Sequence, residues 1–98
     1  MIWLEEPNNI KSKAAVFALH WPNSNLIYIG KSTNAVVLYK QYIANINSNS
    51  APYHLQQAYK KLGIPLFKYL YRTLDNDLEI NYQRLKKLYH ANLLENNL

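Results

Sequence analysis

The pattern of apolar and polar positions divides the chain into six regular segments. Residues 14–20 (AAVFALH) form an apolar run that reads as a strand, and Pro22-Asn23-Ser24-Asn25 reads as the turn beyond it. Residues 26–29 (LIYI) make the second strand, so a short polar turn between two such runs predicts an antiparallel hairpin. Gly30 is expected to end that hairpin as a structural turn, at a backbone angle that a side chain would forbid. Ser32 or Thr33 can cap a helix whose apolar positions Val36, Tyr39, Ile43 and Ile46 recur at helical spacing. Residues 45–50 form a polar linker overlapping the frayed end of that helix. Pro52 opens the next helix, Leu55, Ala58, Tyr59 and Leu62 supply its inner face, and Gly63 terminates it. Residues 66–71 (LFKYLY) read as a third strand. The last helix is expected from Asp75 or Asp77 towards Leu93, with Leu78, Tyr82, Leu85, Tyr89 and Leu93 as its stripe.

Strand, strand, helix, helix, strand, helix is an α+β order: a small three-stranded antiparallel sheet flanked by about three helices. Residues 1–13 are expected as a leader in which Trp3 and Leu4 can reach the core while Pro7-Asn8-Asn9 breaks regular structure. The domain proper is expected over 14–93, with 94–98 as a tail.

Composition narrows the function classes. With 98 residues the chain has room for one domain, and 49% hydrophobic against 17% charged residues allows a real core. Cysteine is absent, which excludes disulfides and cysteine-ligated zinc. No signal-peptide pattern opens the sequence, and no apolar run approaches the roughly 20 residues of a membrane span. The expectation is a soluble cytoplasmic protein with no membrane partner. The net charge of +5 favours acidic partners, nucleic acid first among them. Nine tyrosines fit an interface as well as a core.

Tyr28-Ile29-Gly30, the following Lys31-Ser32-Thr33-Asn34, the segment 54–63 (HLQQAYKKLG) and Phe67 occur in an order that resembles the GIY-YIG nuclease domain. The resemblance covers about residues 14–93. It implies a site in which one glutamate holds a divalent metal, a tyrosine or activated water attacks, and an arginine steadies the phosphate. Each of those positions has changed. The first triplet reads Ala15-Val16-Phe17, Leu38 stands at the arginine position, Tyr42 where many members carry histidine, and Asn81 at the glutamate position. A phenylalanine has no hydroxyl, and an amide is a poor substitute for a metal-binding carboxylate.

The vestigial positions Phe17, Tyr28, Leu38, Tyr42 and Asn81 are expected to converge on the former cleft, either as an exposed aromatic patch or collapsed into core. Asn81 also lies on or beside its helix's apolar stripe, where a hydrogen-bond partner should explain it. Glu79 is the nearest carboxylate but points to a different helical face. Asp75 and Asp77 are expected as caps. His20, His54 and His90 have no metal-site spacing, so no metal or cofactor is expected, with Mg²⁺ entering only for a residual nuclease. Lys31 and Lys40 are expected beside the patch, and Lys60, Lys61, Lys68 and Arg84, with Lys86 and Lys87, over later elements.

The reading is a catalytically inactive GIY-YIG-like module that acts by binding nucleic acid or a nucleoprotein. Two alternatives stay open. One is a small inhibitor or adaptor, of phage or mobile-element type, docking a protein partner or a second copy through the aromatic cleft. The other is a residual metal-dependent endonuclease.

Overall fold

The apolar run near the N-terminus becomes the centre of a sheet. In the computed structural model, which describes residues 4, 6–74 and 77–97, β1 (Ala15–Trp21) pairs antiparallel with β2 (Leu26–Ser32) and with β3 (Leu66–Arg72). The strand order is β2-β1-β3. Every residue of β1 from Ala15 to Leu19 is fully buried, because helices cover both faces of the central strand. Such a strand carries a continuous apolar run instead of alternation.

Alternate β1 residues feed two separate cores. Ala15, Phe17, Leu19 and Trp21 face α1 (Ala35–Asn47) and α2 (Tyr53–Leu62), meeting Ala35, Ile46, Leu55 and Ala58. Val16 and Ala18 face α3 (Leu78–Leu88), meeting Ile27, Ile29, Leu70 and Leu85. The α+β arrangement of a three-stranded antiparallel sheet and three helices is therefore as the sequence pattern predicts. Between Val16 and Phe17 the pairing with β3 slips, leaving Leu70 as an extra residue in a bulge. Both Leu70 and Tyr71 consequently join the core under α3.

Gly30 does not end β2. It sits inside the strand opposite Phe17, and its φ is not positive. A Cβ at this position would lie 2.6 Å from Phe17 Cζ, so glycine is needed for the close approach of a ring and not for a turn. Gly63, by contrast, does end α2 with a φ of +87° in open space. Its carbonyl accepts a hydrogen bond from Trp21 Nε1 at 2.9 Å, which ties the tip of the hairpin to the end of α2.

Several boundaries differ from expectation. Asn34, not Ser32 or Thr33, occupies the N-cap of α1; Ser32 is the last residue of β2, and its Oγ accepts from Asn34 N. Val36 is exposed and Ala35 takes the buried first-turn position. The third helix stops at Leu88, although Tyr89 and Leu93 still bury themselves in its core. Short 3₁₀ turns follow at His90–Asn92 and Leu94–Asn96. The chain then crosses the outer edge of β2: Leu93 bridges to Ile27 and packs under α3, whereas Leu94, fully buried, packs under α1 and α2. Residues 94–97 are thus part of the domain, not a tail, and they cover a sheet edge that would otherwise be open to pairing.

The described residues of the expected leader make contacts with the domain as well. Leu4 is 7% exposed within the α3-side core. The Asn8 amide pairs with the Arg72 N–H and C=O at 2.8 and 2.6 Å, standing in for a strand along β3. Trp3 and Asp75 lie outside the described residues. Among the described residues no helix is long and apolar enough to cross a membrane.

Gly30→Ala should destabilise the fold by about 1–3 kcal/mol through overpacking against Phe17. Adding Phe17→Leu should recover part of that loss relative to Phe17→Leu alone, measured by urea denaturation. Equal losses from Gly30→Ala in both backgrounds would contradict the contact.

Candidate functional site

The α1–α2 side of the sheet carries a continuous layer of rings. Phe17 stacks on Phe67 with centroids 5.4 Å apart and meets Tyr42 at 6.5 Å. Tyr42 lies edge-on to Tyr28 at 5.8 Å, with the two hydroxyls 3.5 Å apart. Phe67 also contacts Tyr39 and Tyr69 at 5.1 and 5.0 Å. Leu38 packs against the same cluster, half-buried. The fold thus brings Phe17, Tyr28, Leu38 and Tyr42 together, with Phe17 sealed inside and the other three at the rim.

What this cluster can do chemically is limited. Burial, with the Tyr42 contact added, pushes the Tyr28 phenol well above its ordinary value of 10.0. Its hydroxyl stays protonated near neutral pH and offers hydrogen bonds, not a base.

Asn81 does not join the cluster. It lies on α3, which covers the opposite face of the sheet. Its amide nitrogen donates to the Asp77 carbonyl at 2.9 Å, and its oxygen accepts from Arg84 Nε at 3.2 Å. This is a satisfied, half-buried asparagine whose hydrogen bonds are local. Asp77 precedes α3, but its carboxylate makes no capping bond to the helix backbone. It accepts instead from the hydroxyls of Thr73 and Tyr71, and the Thr73 bond foremost holds it below the usual carboxylate range. Glu79 is exposed, pairs with Lys31 and accepts from Gln83 Nε2 at 3.0 Å. His20 on β1, His54 on α2 and His90 beyond α3 stay apart, and no three potential ligand side chains converge among the described residues.

The cations divide between the two faces. Register places Lys31 opposite Val16 and Lys68 opposite Ala18, so both belong to the α3 side, with Arg84. Lys31 therefore turns away from the aromatic cluster. It lies 5.1 Å from the Tyr82 ring centroid, Arg84 lies 6.0 Å from that of Tyr71, and Lys68 pairs with Glu6 at 3.5 Å. Lys40 is exposed on α1, and Lys60 and Lys61 are exposed in the last turn of α2, where the helix dipole favours cations.

Sequence reasoning missed a depression of about 300 Å³ at the C-terminal end of α3. Gln83, Lys86, Lys87, His90 and Glu95 line it, over Leu93. Lys86 Nζ lies 3.5 Å from Glu95 Oε1 and 5.3 Å from the Tyr82 centroid. Burial lowers the Lys86 ammonium, but Tyr82 and Glu95 outweigh it, leaving its pKa above the ordinary value. The Lys86-Lys87 doublet was the one signal in the sequence; the turn that folds Glu95 back over it was not.

No family model, curated protein or solved structure matches the chain.

The raised Tyr28 pKa has a signed consequence. The folded state retains a proton that the unfolded chain releases above about pH 10, so the stability from this group is present below that pH and is lost as pH rises through the folded value. Tyr28→Phe should flatten the decline in the denaturation midpoint as pH is raised through 10. An unchanged slope would show that the phenol titrates normally.

Proposed function

We propose that the chain is a non-catalytic, GIY-YIG-like module that binds nucleic acid through the outer surface of α1 and α2. The observation that carries this reading is the placement of charge. No Asp or Glu occurs between Glu6 and Asp75, and α1 and α2 lie wholly within that stretch. Their three lysines, Lys40, Lys60 and Lys61, face solvent with no carboxylate on either helix. On the α3 side, Glu79 and Glu95 offset Lys31 and Lys86, and Glu6 offsets Lys68.

Uncompensated lysines are what a phosphate backbone requires, because binding is driven by release of the counterions around it. The same surface displays the amides of Gln41, Asn45 and Asn47 and the ring of Tyr53, which is 72% exposed. Amides can contact phosphates and sugars, and an exposed ring can stack on an unpaired base.

The absence of catalysis is inferred from side-chain chemistry. Phe17 lacks a hydroxyl and is enclosed by Gly30, Tyr42 and Phe67. Tyr28 holds its proton, and Asn81 is committed to its own helix. The strand and helix order supports a GIY-YIG-like scaffold, while the residues that resemblance would make catalytic cannot act in that role.

Retardation of labelled single-stranded and duplex probes should be salt-dependent. Neutralising Lys40, Lys60 and Lys61 to Gln should lower the slope of log affinity against log salt by about 0.7–0.9 for each lysine that contacts a phosphate. Lys68→Gln, on the opposite face, should leave the slope unchanged. No retardation even at low salt would contradict the proposal.

A further inference from the structure

The depression beyond α3 lies on the far side of the sheet from the proposed nucleic-acid surface, and its chemistry differs. Lys86 and Lys87 supply two ammonium groups, His90 an imidazole and Gln83 an amide, against the single carboxylate of Glu95. Two lysines against one glutamate leave a lining charge of +1 with His90 neutral. Lys86 is already held in place by Glu95 and by the Tyr82 ring. Lys87 makes no ion pair among the described residues and is exposed at the rim. A volume of about 300 Å³ is at the small end of ligand sites. It is an open depression of a size that suits a compact group.

We propose that this depression is a binding site for a phosphomonoester, with Lys86 and Lys87 holding the phosphate oxygens and Leu93 forming the floor. A monoester carries between one and two negative charges near neutral pH, where a diester carries one. Its three terminal oxygens can accept from the donors of the lining, and the ammonium groups act on it as point charges. A carboxylate ligand would use fewer of the donors and compete less well with Glu95 for Lys86. The phosphate could come from a free nucleotide or from the end of a nucleic-acid strand; the chemistry at the site is the same.

The test is titration of the whole chain with adenosine monophosphate, and with one short oligonucleotide carrying either a 5′-phosphate or a 5′-hydroxyl. The expected result is saturable binding of the monophosphate, weakened about tenfold or more by Lys87→Gln and further by adding Lys86→Gln. Because Lys87 is exposed and makes no ion pair among the described residues, its variant should melt like the parent, which separates lost binding from lost folding. A 5′-phosphate advantage that disappears in the double variant would support the site and identify strand ends as the source. Monophosphate binding with no such advantage would support the site and identify the free nucleotide.

Lys40→Gln with Lys60→Gln makes the same charge change elsewhere. If it weakens monophosphate binding as much as the Lys86 and Lys87 variants do, the effect is general electrostatics and the proposal is overturned. No monophosphate binding together with equal affinity for both strand ends would also overturn it, while leaving the α1–α2 surface as the nucleic-acid site. Failure of both strands with retained monophosphate binding would do the reverse.

Discussion

The ring of Phe17 lies across the backbone of Gly30, and the α1–α2 side of the protein is built outward from that contact. Phe17 is on the central strand, fully buried, and has no room to move: an added Cβ at Gly30 would collide with it. Phe67 stacks on it from β3 and Tyr42 reaches it from α1, so one ring links two strands and a helix. Aromatic pairs of this kind contribute about 0.5–1.5 kcal/mol each beyond the area they bury. Phe17 is thus the hydrophobic hub of this side of the sheet. Its contribution is to stability, and the hydroxyls left around it, on Tyr28 and Tyr42, face each other.

Given that hub, the two faces of the sheet have diverged electrically. The α3 side is laced with cation–carboxylate and cation–ring contacts: Lys31 with Glu79 and Tyr82, Lys86 with Glu95 and Tyr82, and Lys68 with Glu6. Exposed pairs of this sort stabilise by about 1 kcal/mol or less, and their larger effect is to cancel long-range charge. The α1–α2 side has no such cancellation, because its two helices contain lysine but no acid. Three of the eleven cations thus stand on helices that carry no acid, a local excess that the overall total of +5 conceals.

Much of the fold was legible because local signals agreed with tertiary ones. The hairpin, the third strand and the glycine that ends α2 each combine an apolar run with a turn residue at its boundary, and they form where the pattern places them. The misreadings arose where one signal had two physical causes. Gly30 carries the mark of a turn, yet its small size serves a ring from the neighbouring strand, which only the register reveals. Asn81 has the spacing of a stripe residue, but a helix pattern does not specify which face of a sheet it will cover. Leu94 and Asn8 lie in segments with no periodicity, and they belong to the domain through hydrogen bonds to a residue 64 positions away in the case of Asn8 and through a bend over β2 in the case of Leu94. Such long-range contacts leave no local signature.

The proposed role of this scaffold is to bind nucleic acid without cutting it. Incubating the protein with supercoiled plasmid and Mg²⁺ or Mn²⁺, then resolving the DNA with and without prior removal of the protein, tests both halves together. Retardation is expected while protein is present, and fully supercoiled plasmid once it is removed. Nicked or linear product that disappears in a Glu79→Ala variant would contradict it, because it would place a working carboxylate where the structure shows only the partner of Lys31.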